Sequence, residues 1–221
     1  MSPWQPAPAA SSLGSLRGKP LGPCRLEVLQ GAVNPYGAVY FKMELVDREG
    51  NTGVPPALLG LFSHGPYPAY NWVEVMAFQS QVAFPGGTLD LGEESVYHQL
   101  FQYLADLVPP GGHLMVEYEG PFWTATREAL ARGIPPLLTP LGQLLQEIGC
   151  AERVRDWAIA EGGREGPRKL IGYKAFSPQA SQQRQEERLQ ELRDFLARPP
   201  IPGQEEARLK ALELLKRDRR R

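Results

Sequence analysis

Acidic side chains set among apolar or aromatic neighbours are the residues of this chain best suited to chemistry. Glu74 stands between Val73 and Val75. Apolar surroundings disfavour the charged form of a carboxyl group, so its pKa rises and it can act as a base near neutral pH. In a sheet with one solvated face the same residue would simply point to water. Glu117 and Glu119 lie in the run His113-Leu114-Met115-Val116-Glu117-Tyr118-Glu119. The two-residue period of a strand turns both acids and Met115 to one face, and Leu114, Val116 and Tyr118 to the other. Asp156 precedes Trp157, and Glu161 follows shortly after. An acid beside an indole suits recognition of an amine or a ribose, while Trp157 equally suits a core. His64 shares a segment with Tyr67, Tyr70, Asn71 and Trp72. Rings beside a histidine between two strands can line a pocket. Alternatively, Pro66 and Pro68 stiffen a surface loop whose rings pack on one another. The expected contacts of a small-molecule ligand are therefore His64, Tyr67, Tyr70, Trp72, Glu117, Glu119, Asp156, Trp157 and Glu161.

Several chemistries lack their residues. Gly86-Gly87 and Gly111-Gly112 do not have the spacing of a dinucleotide or phosphate cradle. Three histidines leave no arrangement with Ser or Cys to suggest a triad. Cys24 and Cys150 have no Cys-x-x-Cys spacing, so buried structural thiols are expected, with neither a disulfide framework nor a metal site.

The chain's 221 residues suffice for one good core plus appendages. Apolar residues make up 42% and charged residues 22%, the balance of a soluble globular protein. A formal charge of −1 gives no reason to expect nucleic acid or an acidic substrate. No apolar run reaches the roughly 18 residues of a membrane helix. Residues 1–23 are rich in Pro, Ala, Ser and Gly and lack the apolar core of a secretory signal, which predicts a flexible leader on a cytoplasmic protein.

The elements that must position these residues begin as strands. Residues 24–33 and 38–46 flank Asn34-Pro35-Tyr36-Gly37, a turn sequence that predicts a hairpin. Val39, Phe41, Met43 and Leu45 alternate with Tyr40, Lys42 and Glu44, the period of a strand with one buried face. Strands are expected at 57–62 and 72–79, and a short hairpin at 81–84 and 88–91. Short turns between them require antiparallel pairing, because a parallel crossover needs a dozen or more residues. The pattern then changes. Val96, Leu100, Tyr103, Leu104 and Leu107 fall on one helical face, and Pro109-Pro110-Gly111-Gly112 ends that helix. Residues 113–119 form a strand. Pro121 and Gly133 bound a helix, and Thr139 can cap another that starts at Pro140 and ends at Gly149. Strands at 152–160 and 169–176 close the domain. The expected fold class is α+β or α/β: antiparallel strands, then helix, strand, helix, strand and strand in one mixed sheet over residues 24–176.

Residues 177–221 form a different region. Leu189, Leu192, Phe195 and Leu196 make one stripe and Leu209, Leu212 and Leu215 another, joined by Pro199-Pro200-Ile201-Pro202-Gly203. This predicts a C-terminal amphipathic helical hairpin. Short isolated helices are marginal in water, so the stripes need a surface, either the domain itself or a second copy in a homo-oligomer. The basic end from Lys216 to Arg221 is expected to be solvated rather than bound to RNA, since neighbouring acids offset it.

The run Pro135-Pro136-Leu137-Leu138-Thr139-Pro140-Leu141-Gly142 through Ile148-Gly149, with Arg155-Asp156-Trp157, Glu161-Gly162, Glu165-Gly166 and Lys169-Leu170, resembles the C-terminal pattern of an uncharacterised prokaryotic family, domain-of-unknown-function family eleven-twenty-two. Phe62-Ser63-His64-Gly65, Pro68 and Trp72-Val73-Glu74 are similar as well, so the resemblance covers about residues 24–176. It carries no activity. At the level of fold, antiparallel strands followed by helix, strand, helix and two strands resemble the acyl-CoA N-acyltransferases. Their glycine-rich pyrophosphate loop is missing or degenerate here. That resemblance implies acetyl-CoA as donor, Glu74 as base and Tyr118 as acid. The helix, Pro-Gly-Gly and strand of residues 104–118 also resemble the later half of class I methyltransferases, which implies S-adenosylmethionine. Those enzymes need a glycine-rich loop and several crossover helices in their first half, which this chain lacks. A non-catalytic small-molecule or protein binding module is the third expectation.

Overall fold

The computed structural model describes residues 3–161, 164–175 and 178–218. Short strands β1 (Gln5–Pro6) and β2 (Pro20–Leu21) precede β3 (Cys24–Val33) and β4 (Val39–Val46). The hairpin between β3 and β4 closes as its sequence requires. The Asn34 side-chain oxygen accepts from the backbone N–H of Tyr36 and Ala38 at 3.0 and 2.9 Å, and Gly37 takes φ +82°. Strands β5 (Leu58–Ser63) and β6 (Trp72–Phe78), the hairpin β7 (Gln81–Phe84) and β8 (Gly87–Asp90), and helix α1 (Glu94–Leu107) follow. Then come β9 (His113–Glu117), α2 (Thr124–Ala131), α3 (Pro140–Glu147), β10 (Arg153–Glu161), β11 (Arg164–Tyr173), α4 (Pro178–Ala197) and α5 (Glu205–Asp218). Helix α3 is capped as expected, with the Thr139 hydroxyl accepting from Gly142 N–H at 3.1 Å.

The main sheet has the order β1-β3-β4-β5-β6-β9-β11-β10, with β2 also on β3, so the expected mixed α+β architecture is present. Among the described strands, β6 and β9 alone are parallel neighbours, from Trp72 opposite His113 to Val75 opposite Val116. The β7–β8 hairpin and α1 supply the crossover that this pairing demands. A bulge interrupts β5 and β6 between Leu59 and Gly60, where β6 carries one extra residue, Met76.

One sheet face holds the core. Leu26, Val28, Phe41, Met43, Val73, Val75, Leu114, Val116 and Leu170 are buried there with Leu100 and Leu104 of α1 and Leu141 and Leu145 of α3. The cross-strand register turns Glu74, Met115, Glu117, Lys169, Ile171 and Trp157 to the opposite face.

Three expectations change. The N-terminal segment is packed from residue 3 onward rather than free. β1 and β2 both pair with β3, and Ala7, Leu13, Leu16 and Leu21 are buried in the main core. Its small and cyclic residues cost little side-chain entropy to order, and three leucines supply apolar area in return. Strand β11 begins at Arg164 rather than residue 169 and ends at Tyr173. Pro167, which cannot donate to a ladder, lies beyond the end of β9 and in the irregular stretch of the β10–β11 register. The stripe on α5 is also different. Leu209 and Leu212 are exposed, while Ala207 and Ala211 are buried.

The C-terminal helices dock on the domain. Leu192 and Phe195 of α4 and Ala207 and Ala211 of α5 form a second cluster with Ala129, Ile134 and Leu138. The Gln204 amide donates to Arg132 O at 2.7 Å and Lys210 reaches Gln143 at 3.1 Å. Among the described residues, no helix is long and apolar enough to cross a membrane.

The packed N-terminus generates a test. Leu16 is 1% exposed. Leu16→Ala should cost about 2–5 kcal/mol in urea-induced unfolding, as for other buried leucines. A free leader would give no change.

Candidate functional site

The strongest concentration of unusual chemistry is a set of three ionisable side chains on adjacent strands. The Lys169 ammonium of β11 binds the Glu74 carboxylate of β6 and lies 3.5 Å from the Glu117 carboxylate of β9. The registers explain the meeting. Lys169 stands opposite Glu117, and Glu74 stands opposite Met115, two residues before Glu117 and on the same face. Glu74 and Lys169 are buried. The Glu117 side chain keeps 17% of its surface in solvent, so it is the member that water can reach.

Burial pushes the Glu117 carboxyl up to about 7. Lys169 opposes that rise. Glu74 adds to it by repulsion and by accepting a hydrogen bond from the protonated carboxyl. A group of this kind can give or take a proton near neutrality. Two carboxylates and one ammonium leave the set one charge short of neutral, and a proton on Glu117 closes that gap.

Tyr118 lies on the other face, fully buried. Its hydroxyl donates to Asp156 at 2.6 Å, and Asp156 is also paired with Arg168, whose guanidinium lies 5.7 Å from the Tyr118 ring centre. Burial raises the pKa of this hydroxyl, and the hydrogen bond to Asp156 raises it further. Asp156 is thus engaged on the core side, while its neighbour Trp157 is exposed on the face of the Glu117 set, opposite Lys169. Glu119 is exposed beyond the end of β9, and its carbonyl accepts from Arg127 at 2.9 Å. The side chain of Glu161 lies outside the described residues, as do Gly162 and Gly163.

The histidine loop is elsewhere. Asn71 is buried and folds it, donating to the carbonyls of Gly65 and Tyr67 at 3.1 and 2.8 Å. His64 stacks beside Phe62, and Tyr67 packs near Tyr70 with both rings exposed. This loop leads into the start of β6 at Trp72. The far end of β6, at Phe78, is about 20 Å away at the rise of a strand. The structure therefore separates His64, Tyr67 and Tyr70 from Glu119, which lies past the far end of β9.

That far end is filled with rings. Phe78 from the end of β6 lies 4.6 Å from Phe122 and 5.8 Å from Phe101, and Phe122 lies 4.7 Å from Trp123. Neither this group nor Lys169 stood out in the sequence. Phe122-Trp123 lies in the segment after β9, beyond the carboxyl end of that strand, where ligands of open α/β sheets sit, and is a signal the sequence offers. Lys169 was hidden because residue 169 was expected to begin its strand. A lysine inside a strand, next to Leu170 and Ile171, demands an acidic partner.

Removal of the shared cation generates a prediction. Lys169→Met leaves the buried Glu74 and the half-buried Glu117 without an ammonium and should cost about 3–5 kcal/mol in denaturant unfolding at pH 8. Lys169 holds the Glu117 pKa down, so without it the carboxyl takes up its proton above about 7, and the loss should shrink as pH falls from about 9 to about 7 and change little below that. An equal loss at both pH values would show that the ammonium does not serve these acids.

Comparison with known proteins places the chain in a family. It resembles a protein of unknown function, AQ1966 from Aquifex aeolicus VF5, whose crystal structure aligns over 88% of this chain and 95% of that one. The TM-score is 0.64 and the identity 24%, a likeness of fold alone. No curated protein matches the chain significantly. The family profile described as "Protein of unknown function (DUF1122)" matches residues 40–199, running past the expected boundary at 176 through α4. The chain belongs to that DUF1122 family.

Proposed function

We propose that this protein is a degenerate acyl-CoA N-acyltransferase-like domain that works as a binding module and not as a transferase. The order of its elements supports the acyltransferase-like plan: antiparallel strands, a helix, a strand that pairs in parallel with the last of them, then helices and a closing antiparallel hairpin. The methyltransferase-like alternative calls for several crossover helices in the first half. Hairpins occupy that part here, so it has no comparable support.

The observation that carries the degenerate reading is the filled strand end. Phe78, Phe101, Phe122 and Trp123 occupy the carboxyl ends of β6 and β9, where a sheet of this kind receives its ligand. Helix α1 begins at Glu93 and Glu94, which oppose a pyrophosphate where a helix N-terminus would otherwise attract one. These residues do not fit a CoA donor. An active acyltransferase is the second reading, favoured by the near-neutral carboxyl of Glu117. In that reading the free base is Glu117 rather than Glu74, whose carboxylate is bound by Lys169. The Tyr118 hydroxyl, proposed as acid, already donates to Asp156.

Thermal unfolding with added ligand separates the readings, since any ligand selective for the folded state raises the melting temperature with concentration. Neither acetyl-CoA nor S-adenosylmethionine should stabilise the wild type. Phe122→Ala should create a response to acetyl-CoA if the ring is what fills a donor cleft. A response of the wild type to acetyl-CoA would establish the second reading. No response from Phe122→Ala would remove the acyltransferase-like cleft from the account.

A further inference from the structure

We propose that Glu74, Lys169 and Glu117 form a one-proton clamp that closes the seam between β6 and β9 and releases it when the proton leaves. The parallel ladder ends at Val75 opposite Val116. The clamp lies on one side of that last rung, and the ring cluster of Phe78, Phe122 and Trp123 lies just past it. It is therefore placed to control whether the filled strand end stays filled.

The groups facing Glu117 are few. β6 contributes Glu74 and β11 contributes Lys169, with Tyr173 further along the same face. β9 itself adds His113 at its start and Glu119, exposed beyond its end, and β10 adds Arg155 and Trp157 beyond β11. Arg168 and Asp156 pair with each other on the core face and do not enter the set. With its proton, Glu117 donates to Glu74, and Lys169 neutralises the single remaining carboxylate. Without it, two carboxylates face each other across the β6–β9 seam with one ammonium between them, in surroundings that screen poorly.

The carboxyl holds its proton more tightly in the folded protein than its ordinary value of 4.5, with a midpoint raised to about 7. Its contribution to stability is then complete below about 4.5 and is lost as pH rises through about 7. Because the three groups span β6, β9 and β11, the loss should fall on the two seams of β9 first and only partly on the whole fold.

Amide hydrogen exchange on the full chain tests the clamp. With intrinsic pH effects removed, protection in β6, β9 and the facing part of β11 should drop by about tenfold or more as pH rises through about 7, the scale of one pKa unit of differential interaction. Protection in β3 and β4 should not change. Glu117→Gln, which keeps the shape and the donor of the protonated form, should abolish the drop and hold the seam closed. Glu74→Gln removes the repelling charge and frees Lys169 for Glu117, so the midpoint should move to lower pH. A drop of equal size in wild type and Glu117→Gln would overturn the clamp, as would a drop shared by all strands. The measurement involves no acyl donor, so its result is separate from the proposed binding role.

Discussion

Lys169 brings an ammonium into the middle of the sheet, and the strands around it are arranged to meet that charge. Taking an ion out of water costs several kcal/mol unless geometry returns it, and removal of one partner leaves the other stranded. Here the return requires three strands in one register. A slip of one residue in β11 would turn Lys169 into the apolar core and Leu170 out of it. A slip in β9 would do the same to Glu117 and Val116. The charged set therefore has little to add to stability, but it penalises every neighbouring register. That penalty matters most where β6 meets β9, because a parallel pair has no tight turn to fix its alignment.

The opposite face of the same strands uses a second polar set for a related purpose. Tyr118, Asp156 and Arg168 link the end of β9 to β10 and β11 beneath the closing hairpin. Asp156 and Trp157 are neighbours in sequence, yet they serve opposite faces. An acid next to an indole reads in sequence as one recognition element, but the two side chains lie on opposite faces of the sheet. The period of the strand decides this, and it applies to Glu117 and Tyr118 in the same way.

Local signals were dependable where chemistry is local. The Asn34 turn, the alternation in β4, the apolar stripe of α1 and the Thr139 cap all depend on residues within a few positions of each other, and each formed as expected. What failed depended on partners distant in sequence. The N-terminal segment has the composition of a tail, but β3 offers a free edge that it can pair with, and composition says nothing about that edge. On α5, Ala207 and Ala211 face inward, buried with Leu192 and Phe195 of α4 and with Ile134 and Leu138. Small residues at a close approach carry no hydrophobic signal. Within the site, Glu74 and Glu117 were evident as acids in strands. The residue that joins them was not, because a lysine's partner is set by the register of strands 95 positions apart.

The filled strand end and the charged seam are two consequences of one topological event. A parallel neighbour inside an antiparallel sheet must be reached by a crossover, and the ladder between β6 and β9 ends at Val75 and Val116, beside the bulge at Met76. Space beyond the last rung of a folded sheet holds a ligand, water or side chains. In this chain Phe78 and Phe122 fill it, with Phe101 and Trp123 behind them. Rings contributed by three different segments can part only if their strands move, and those strands are fastened by the proton on Glu117. In the proposed clamp, the packing of these rings is thereby tied to the ionisation of one carboxyl group.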